Sequence, residues 1–361
     1  MGLPGSGKTT VFNALTGMGA TTGGYSGGHD APNVGVVKVP DERVERLAEI
    51  FHPKKVTHAD VTYVDVAIPA GAAREGTVAP DVLAQIRNAD ALVHVARAFE
   101  GVGGADDRPP DPWRDIEELE LEFAIADLAV VQKRLEKLRT SGRHGSPTER
   151  EQNAMEEELL ARIEPRLADG QPLRALTLGE DDEKRLRGYR FLTQKPVLEL
   201  INLGESRLGE AASLEAAGRA RALPPQTDVA ALAGQLESEI AQLPDEDARL
   251  FTDDLGITEP SRGRVIRLTY ALLGLISFLT AGEDECRAWT LARGSNAVDA
   301  AGAIHTDLAR GFIRAEVVTY DDLVECGSIA EARRRGLLRS EGKTYEVRNG
   351  DVIQVLFNVA R

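Results

Sequence analysis

The stretch Gly2-Leu3-Pro4-Gly5-Ser6-Gly7-Lys8-Thr9 constrains this chain more than any other feature. It fits the spacing G-x-x-x-x-G-K-[ST], in which glycines let successive backbone N–H groups turn inward around phosphate oxygens. Lys8 then sets a compact cation beside the β and γ oxygens of a nucleoside triphosphate, and the Thr9 hydroxyl becomes a Mg²⁺ ligand. The helix that begins there, running through Thr10, adds the positive end of its dipole. Gly2, Pro4, Gly5, Ser6, Gly7, Lys8, Thr9 and Thr10 are the expected polyphosphate-binding residues. A loop of this kind follows a β-strand, yet only Met1 precedes Gly2; the expectation is a start site placed too far downstream and a chain less stable for it.

The rest of the chain supplies the frame such a loop needs. Thr9–Thr16 reads as a short helix, Val61–Val66 as a buried strand, Val78–Asn88 as a helix and Ala91–Phe99 as a second apolar strand. Strand–helix alternation predicts a mostly parallel sheet covered by helices. Asp65, at the end of its strand, stands where a metal-water ligand would sit, although a strand-terminal aspartate also serves as a turn cap. From about 111 the pattern changes. Ile116, Leu119, Phe123, Ala126 and Val130 recur at helical spacing, as do Met155, Leu159, Ile163 and Leu167 after the polar turn 141–148. Two amphipathic helices joined this way predict an antiparallel hairpin, inserted in the sheet domain because strands resume at Val197–Ile201 and Val229–Ala233. The C-terminal segment is β-rich, with strands expected at Cys286–Leu291, Phe312–Val318, Tyr345–Val347 and Val352–Val359 and a helix at Ala297–Ile304. That pattern suits a small β-grasp domain. The fold class expected is therefore α/β, with a nucleotide-binding domain over 1–110 and 191–282, a helical arm over 111–190 and the β-grasp domain over 283–361.

Composition narrows the partners. A net charge of −15 over 361 residues argues against a general nucleic-acid coat or an anionic-membrane binder, so neither DNA nor membrane is an expected partner. Cys286 and Cys326 match no zinc or redox spacing and read as reduced thiols in a cytoplasmic protein. Tyr270–Ala281, the longest apolar stretch, is shorter than the roughly 20 residues of a bilayer span and reads as a core helix.

Collinear stretches along nearly the whole chain resemble the YchF/Obg-like ATPase family. They include Thr10–Thr16, Pro32–Val37, Asp115–Leu128, Phe191–Pro196, Asp254–Ile257, Arg287–Thr290, Ile304–Asp307 and Gly311–Val317. The resemblance implies a G-domain-like P-loop sheet, a helical arm and a C-terminal TGS domain. It also implies a base-recognition motif at Asn202-Leu203-Gly204-Glu205. Related GTPases use N-K-x-D, whose aspartate accepts two hydrogen bonds from guanine. An N-x-x-E loop loses that clamp, and the family it resembles prefers ATP to GTP. Asn202, Leu203 and Glu205 are thus the implied base site, with Phe99 as an apolar wall; read alone, Asn202 and Glu205 are polar residues after a strand. His94 matches a family histidine proposed to position the attacking water; read alone, it is a histidine on a half-buried strand.

Two departures bear on turnover. His29 stands where the family carries a threonine that approaches Mg²⁺ and the γ-phosphate, and Asp65-Val66-Ala67-Ile68 lacks the glycine of D-x-x-G. Since phosphoryl transfer is mostly positioning and charge stabilisation, binding should persist while hydrolysis weakens. The expected function is an ATP-binding, weakly hydrolysing protein that associates with the ribosome. Its alternatives are a hydrolysis-deficient, nucleotide-dependent scaffold and a small-molecule kinase, the last opposed by the absence of an arginine-rich lid. Arg287, Arg310, Arg314, Arg333, Arg334, Arg335, Arg339 and Lys343 are the candidate contacts to rRNA from the C-terminal domain, if they are more than solvated surface charge.

Overall fold

The structure is a computed structural model that describes residues 1–20, 32–66, 80–101, 109–141, 146–221, 223–255 and 260–358. In chain order its first elements are α1 (Lys8–Thr16), β1 (Asn33–Lys38), α2 (Glu42–Phe51), β2 (Lys55–Thr57), β3 (Asp60–Asp65), α3 (Pro80–Asn88) and β4 (Leu92–Ala98). The helices α4 (Pro112–Ser141), α5 (Pro147–Ala168) and α6 (Glu180–Leu186) precede β5 (Val197–Leu203), α7 (Ala211–Arg219) and β6 (Thr227–Leu232). Next come α8 (Gly234–Ile240), α9 (Asp245–Asp254), α10 (Ser261–Leu272), β7 (Leu275–Thr280) and β8 (Glu285–Ala292). The C-terminal part holds α11 (Ala297–Ile304), α12 (Thr306–Arg310), β9 (Phe312–Thr319), α13 (Tyr320–Cys326), α14 (Ile329–Arg334), β10 (Arg339–Glu341) and β11 (Asp351–Phe357). The chain forms two compact units, Met1–Gly35 with Tyr63–Val265 and Val36–Thr62 with Ile266–Arg361.

The first unit is built on the parallel sheet β4–β5–β6, in which His94 faces Glu199 and Glu199 faces Val229. Every residue of β5 is buried, as expected of a central parallel strand covered on both faces. The β4 edge away from β5 is met by Met1: its ammonium donates to the Val93 carbonyl at 3.0 Å, and its carbonyl accepts from the Val95 N–H at 2.9 Å. Burial pushes the pKa of that ammonium down to about 6, against the attraction of Asp65. On one side of the sheet, α4 lays Leu119 and Phe123 against Leu92 and Val197.

The two long helices pair as the periodicity predicts. Val131, Leu135 and Leu138 of α4 meet Leu159, Leu160, Ile163 and Leu167 of α5 in one dry seam, closed by Leu173, Leu186 and Phe191. Ser146 caps α5 reciprocally with Glu149, and Pro147 occupies its first turn, so the helix start is fixed locally.

The second unit carries a six-stranded sheet in the order β10-β9-β11-β7-β8-β2. Its core joins Phe278, Ala315 and Val317 to Ala300 and Ala301 of α11, a helix capped at both ends of its first turn by Asn296 and Asp299. Three sequence readings change here. Tyr270–Ala281 is not one core helix: α10 stops at Leu272, Gly274 turns at φ +69°, and β7 begins at Leu275. Tyr345–Val347 contributes only a single bridge, Glu346 to Asn296, in place of a strand. Segment 36–62, read as part of the nucleotide-binding domain, clusters with 266–361, because β2 pairs in parallel with β8, Lys55 opposite Glu285.

Candidate nucleotide-binding site

Gly7 caps α1 with a left-handed backbone, φ +81°, and a Cβ there would lie 2.3 Å from Asn202 Nδ2 and 3.6 Å from Phe99 Cε1. The loop therefore turns into the helix in space that only glycine leaves open. Lys8 and Thr9 follow at the helix head, where free N–H groups and the dipole favour a polyphosphate.

The two expected metal ligands meet. The Thr9 hydroxyl donates to Asp65 Oδ2 at 2.9 Å, across 56 residues of chain. One hydroxyl and one carboxylate are oxygen donors of the kind that would hold Mg²⁺. Burial lowers the Lys8 pKa, opposed by Asp65, which leaves the lysine in want of a further anionic partner.

Asn202 is the residue that joins loop to sheet. It is 3% exposed; its Nδ2 donates to the Ser6 carbonyl at 3.0 Å and its Oδ1 accepts from the Gly234 N–H at 3.0 Å. One side chain thus ties the phosphate loop to the end of β5 and the start of α8. The Phe99 ring stands between the loop and Gly204, where an added Cβ would lie 3.4 Å from Phe99 Cβ. The Leu203 side chain packs with Ala98 and Ile201 in the core, which leaves only its main chain for the implied base contact. Glu205 is exposed at the head of a 3₁₀ turn, Glu205–Glu210. Sequence reasoning missed Arg207, whose Nη1 donates to the Ala98 carbonyl at 2.9 Å and fixes that turn beside Phe99. It also missed Gly234, where a Cβ would come 2.7 Å from Asn202 Oδ1. Neither carries a motif; both are visible only once β4, β5 and α8 are adjacent.

His94 lies apart from this group. It is 3% exposed, its Nδ1 is 2.8 Å from Glu199 Oε2, and its ring faces α4, near Asp115 and Glu120. A residue that positions an attacking water must reach solvent beside the γ-phosphate. His94 is instead part of a buried polar layer, in which Arg174 bonds Glu120 at 2.6 Å and Thr227 at 3.0 Å. Burial raises the Asp115 and Glu120 pKa values, with Arg174 opposing the rise at Glu120. The departures at His29 and Ile68 lie outside the described residues.

The arginines of the C-terminal segment are largely neutralised by neighbours. Arg333 meets Glu316 at 2.7 Å, Arg334 and Arg335 share Glu331, Arg339 is 3.4 Å from Glu341, and Arg310 is 3.7 Å from Asp307. Arg287 stacks over Trp289 at 3.8 Å. Arg314 and Lys343 are exposed, with no carboxylate in ion-pair contact among the described residues. No helix among the described residues is long and apolar enough to cross a membrane.

Comparison with known proteins agrees with this geometry. The family model described as "YchF-GTPase_C: Protein of unknown function (DUF933)" matches residues 275–358. The chain is 37% identical over 369 residues to the "Ribosome-binding ATPase YchF" of Bacillus subtilis (strain 168), covering 99% of this chain and 98% of that one. It is 39% identical to the protein of the same name from Haemophilus ducreyi, with the same coverage. Among solved structures, the "Structure of the Schizosaccharomyces pombe YchF GTPase" superposes with a TM-score of 0.83 at 27% identity, covering 99% of this chain and 96% of that one. An α/β fold with a glycine loop at the head of α1, shared end to end at such identity, means that this chain belongs to the YchF family.

Proposed function

We propose that this chain binds ATP, and GTP less well, together with Mg²⁺, hydrolyses it slowly, and associates with the ribosome. The observation that carries the nucleotide reading is the Asn202 tie, which locks the phosphate loop against the turn bearing Glu205. Gly2, Pro4, Gly5, Ser6 and Gly7 wrap the phosphates, Lys8 neutralises them, and Thr9 and Asp65 hold the metal ion, which supplies charge stabilisation when bound. Thr10 continues the helix whose dipole faces the same charge. Phe99 covers one face of the base. Glu205 stands where a guanine-specific aspartate would be, one methylene too long to accept the paired guanine donors in the same arrangement.

Ribosome association rests on the relatives that carry "Ribosome-binding ATPase" in their names. Slow hydrolysis rests on His29 and on the missing glycine after Asp65. Loss of one γ-phosphate contact worth about 2.7 kcal/mol would slow the chemical step about a hundredfold. That observation also favours the second reading, a scaffold that binds ATP without turning it over.

Calorimetric titration with ATP and GTP in the presence of Mg²⁺ tests the proposal. Tighter ATP binding, abolished by Lys8→Ala, is expected; equal or tighter GTP binding rejects the base-site reading, and steady-state phosphate release separates slow hydrolysis from none.

A further inference from the structure

Helix α9 buries almost nothing. Only Ala248 and Thr252, four residues apart on one side, turn inward, the former against Leu236 and Ile240 of α8. The outward side carries large apolar groups: Leu250 is 63% exposed and Phe251 39%, with Leu243 just upstream at 38%. A solvent-facing helix is ordinarily polar on that side, and contiguous apolar groups there mark contact surfaces.

The charge around them is one-sided. Asp247, Leu250, Phe251 and Asp254 fall at i, i+3, i+4 and i+7, so two carboxylates bracket two apolar side chains on one stripe. Glu246 and Asp253 flank the same stripe, and Arg249 is the single cation of the helix. Among the described residues, no ion pair engages Glu246, Asp247, Asp253 or Asp254. In the C-terminal unit, by contrast, most exposed arginines have found a carboxylate. Here the carboxylates stand unanswered beside apolar surface.

We propose that the outward stripe of α9 is a docking surface for a protein that presents basic side chains around an apolar groove. The charge selects this occupant over the others. A second copy would set acidic helix against acidic helix in a chain that already carries −15. An anionic membrane or an RNA would meet the same repulsion. A lysine- or arginine-rimmed groove takes Leu250 and Phe251 as anchors and satisfies Asp247 and Asp254 at its rim, the arrangement of an amphipathic helix laid into a groove.

The test uses the full chain and a synthetic helical peptide with leucines at i, i+3, i+4 and i+7 and lysines elsewhere, followed by fluorescence anisotropy. Binding should weaken at least tenfold in L250S/F251S and in D247K/D254K. It should hold within twofold in D181K, which changes charge on the exposed face of α6. A peptide with glutamate in place of every lysine should not bind. Because the altered side chains are exposed, thermal melts of the variants should match the parent, and the charge pair and the apolar pair test the surface independently. Binding indifferent to both double variants overturns the proposal. So does a dimer seen by light scattering that L250S/F251S dissolves, or adsorption to phosphatidylglycerol vesicles through the same residues.

Discussion

The Asp127 carboxylate of α4, wholly buried, lies 2.9 Å from Arg87 Nη1 at the end of α3. It also accepts from the Leu192 and Thr193 N–H groups, at 3.2 and 2.8 Å, and from the Thr193 hydroxyl at 2.9 Å. Arg87 in turn donates to the Arg190 carbonyl at 3.1 Å. One carboxylate therefore pins the root of the helical arm to α3 and to the chain entering β5. Asp127→Ala leaves the half-buried Arg87 guanidinium without its carboxylate and two buried amides without their acceptor, and should cost about 3–5 kcal/mol in urea denaturation. Asp127→Asn, which keeps an acceptor, should cost less. Equal losses in the two variants would show that shape, and not charge, holds the joint.

Removing the Asn202 amide strands the Ser6 carbonyl and the Gly234 N–H in the interior. Asn202→Ala should lower stability by about 2–4 kcal/mol, each orphaned group contributing about 1–3. It should also weaken ATP binding at least tenfold, because the loop loses its fixed position. Calorimetry on the folded variant reads the second effect separately. Gly7→Ala acts on the same point from the other side, since its Cβ would fall 2.3 Å from Asn202 Nδ2 at a backbone φ of +81°. It should reproduce the binding defect.

The arm carries a pH-sensitive clasp. Arg134 of α4 donates to Glu156 of α5 at 3.1 and 2.5 Å, and the Tyr189 hydroxyl bonds the same carboxylate. Burial raises the Glu156 pKa, but hydrogen bonds from Arg134 and Tyr189 outweigh it and hold the carboxyl below its usual 4.5. Its folded pKa being depressed, the stabilisation is complete above 4.5 and is lost as pH falls through the folded value. Glu156→Gln should therefore cost about 1 kcal/mol at pH 7, allowing for solvent screening, and the difference from the parent should shrink below pH 4. Tyr189 behaves oppositely: burial, then Glu156, pushes its pKa up to about 12. That share of stability is present below pH 10 and disappears between pH 10 and 12. Denaturation midpoints of parent, Glu156→Gln and Tyr189→Phe across this range check both signs.

Ribosome association should be only weakly dependent on salt if it uses the C-terminal arginines. Most of them are already paired internally, leaving Arg287, Arg314 and Lys343 to displace counterions. About three phosphate contacts give a log–log slope near −2 to −3. Cosedimentation over a salt series would show it; a slope near −6 would mean that the internal pairs open to meet RNA.

Much of this architecture was legible before any coordinates. The glycine loop, the apolar strands at 92–98 and 197–203 and the arm's heptad-like stripe all announce themselves through spacing alone. What escaped the sequence are relations between distant segments. Lys55–Thr57 is too short and too polar to read as a strand, and becomes one only because β8 offers it an edge. The Tyr270–Ala281 run reads as one apolar stretch, and Gly274 divides it into a helix end and a strand carrying the strand formers Ile276, Phe278 and Thr280. The family resemblance alone offers His94 as a site residue, and its plain reading as a strand histidine gains weight once Glu199 stands opposite it on the neighbouring strand. The C-terminal arginines count as a basic patch until their partners, from Asp307 to Glu341, are placed beside them.

The pairing of Lys55 with Glu285 has a consequence for how the protein is made. A ribosome releases residue 55 long before residue 285, so the early strand must wait through some two-thirds of translation for its neighbour. Throughout that interval the nascent chain carries an unfinished sheet edge, and release of the last third is what closes it.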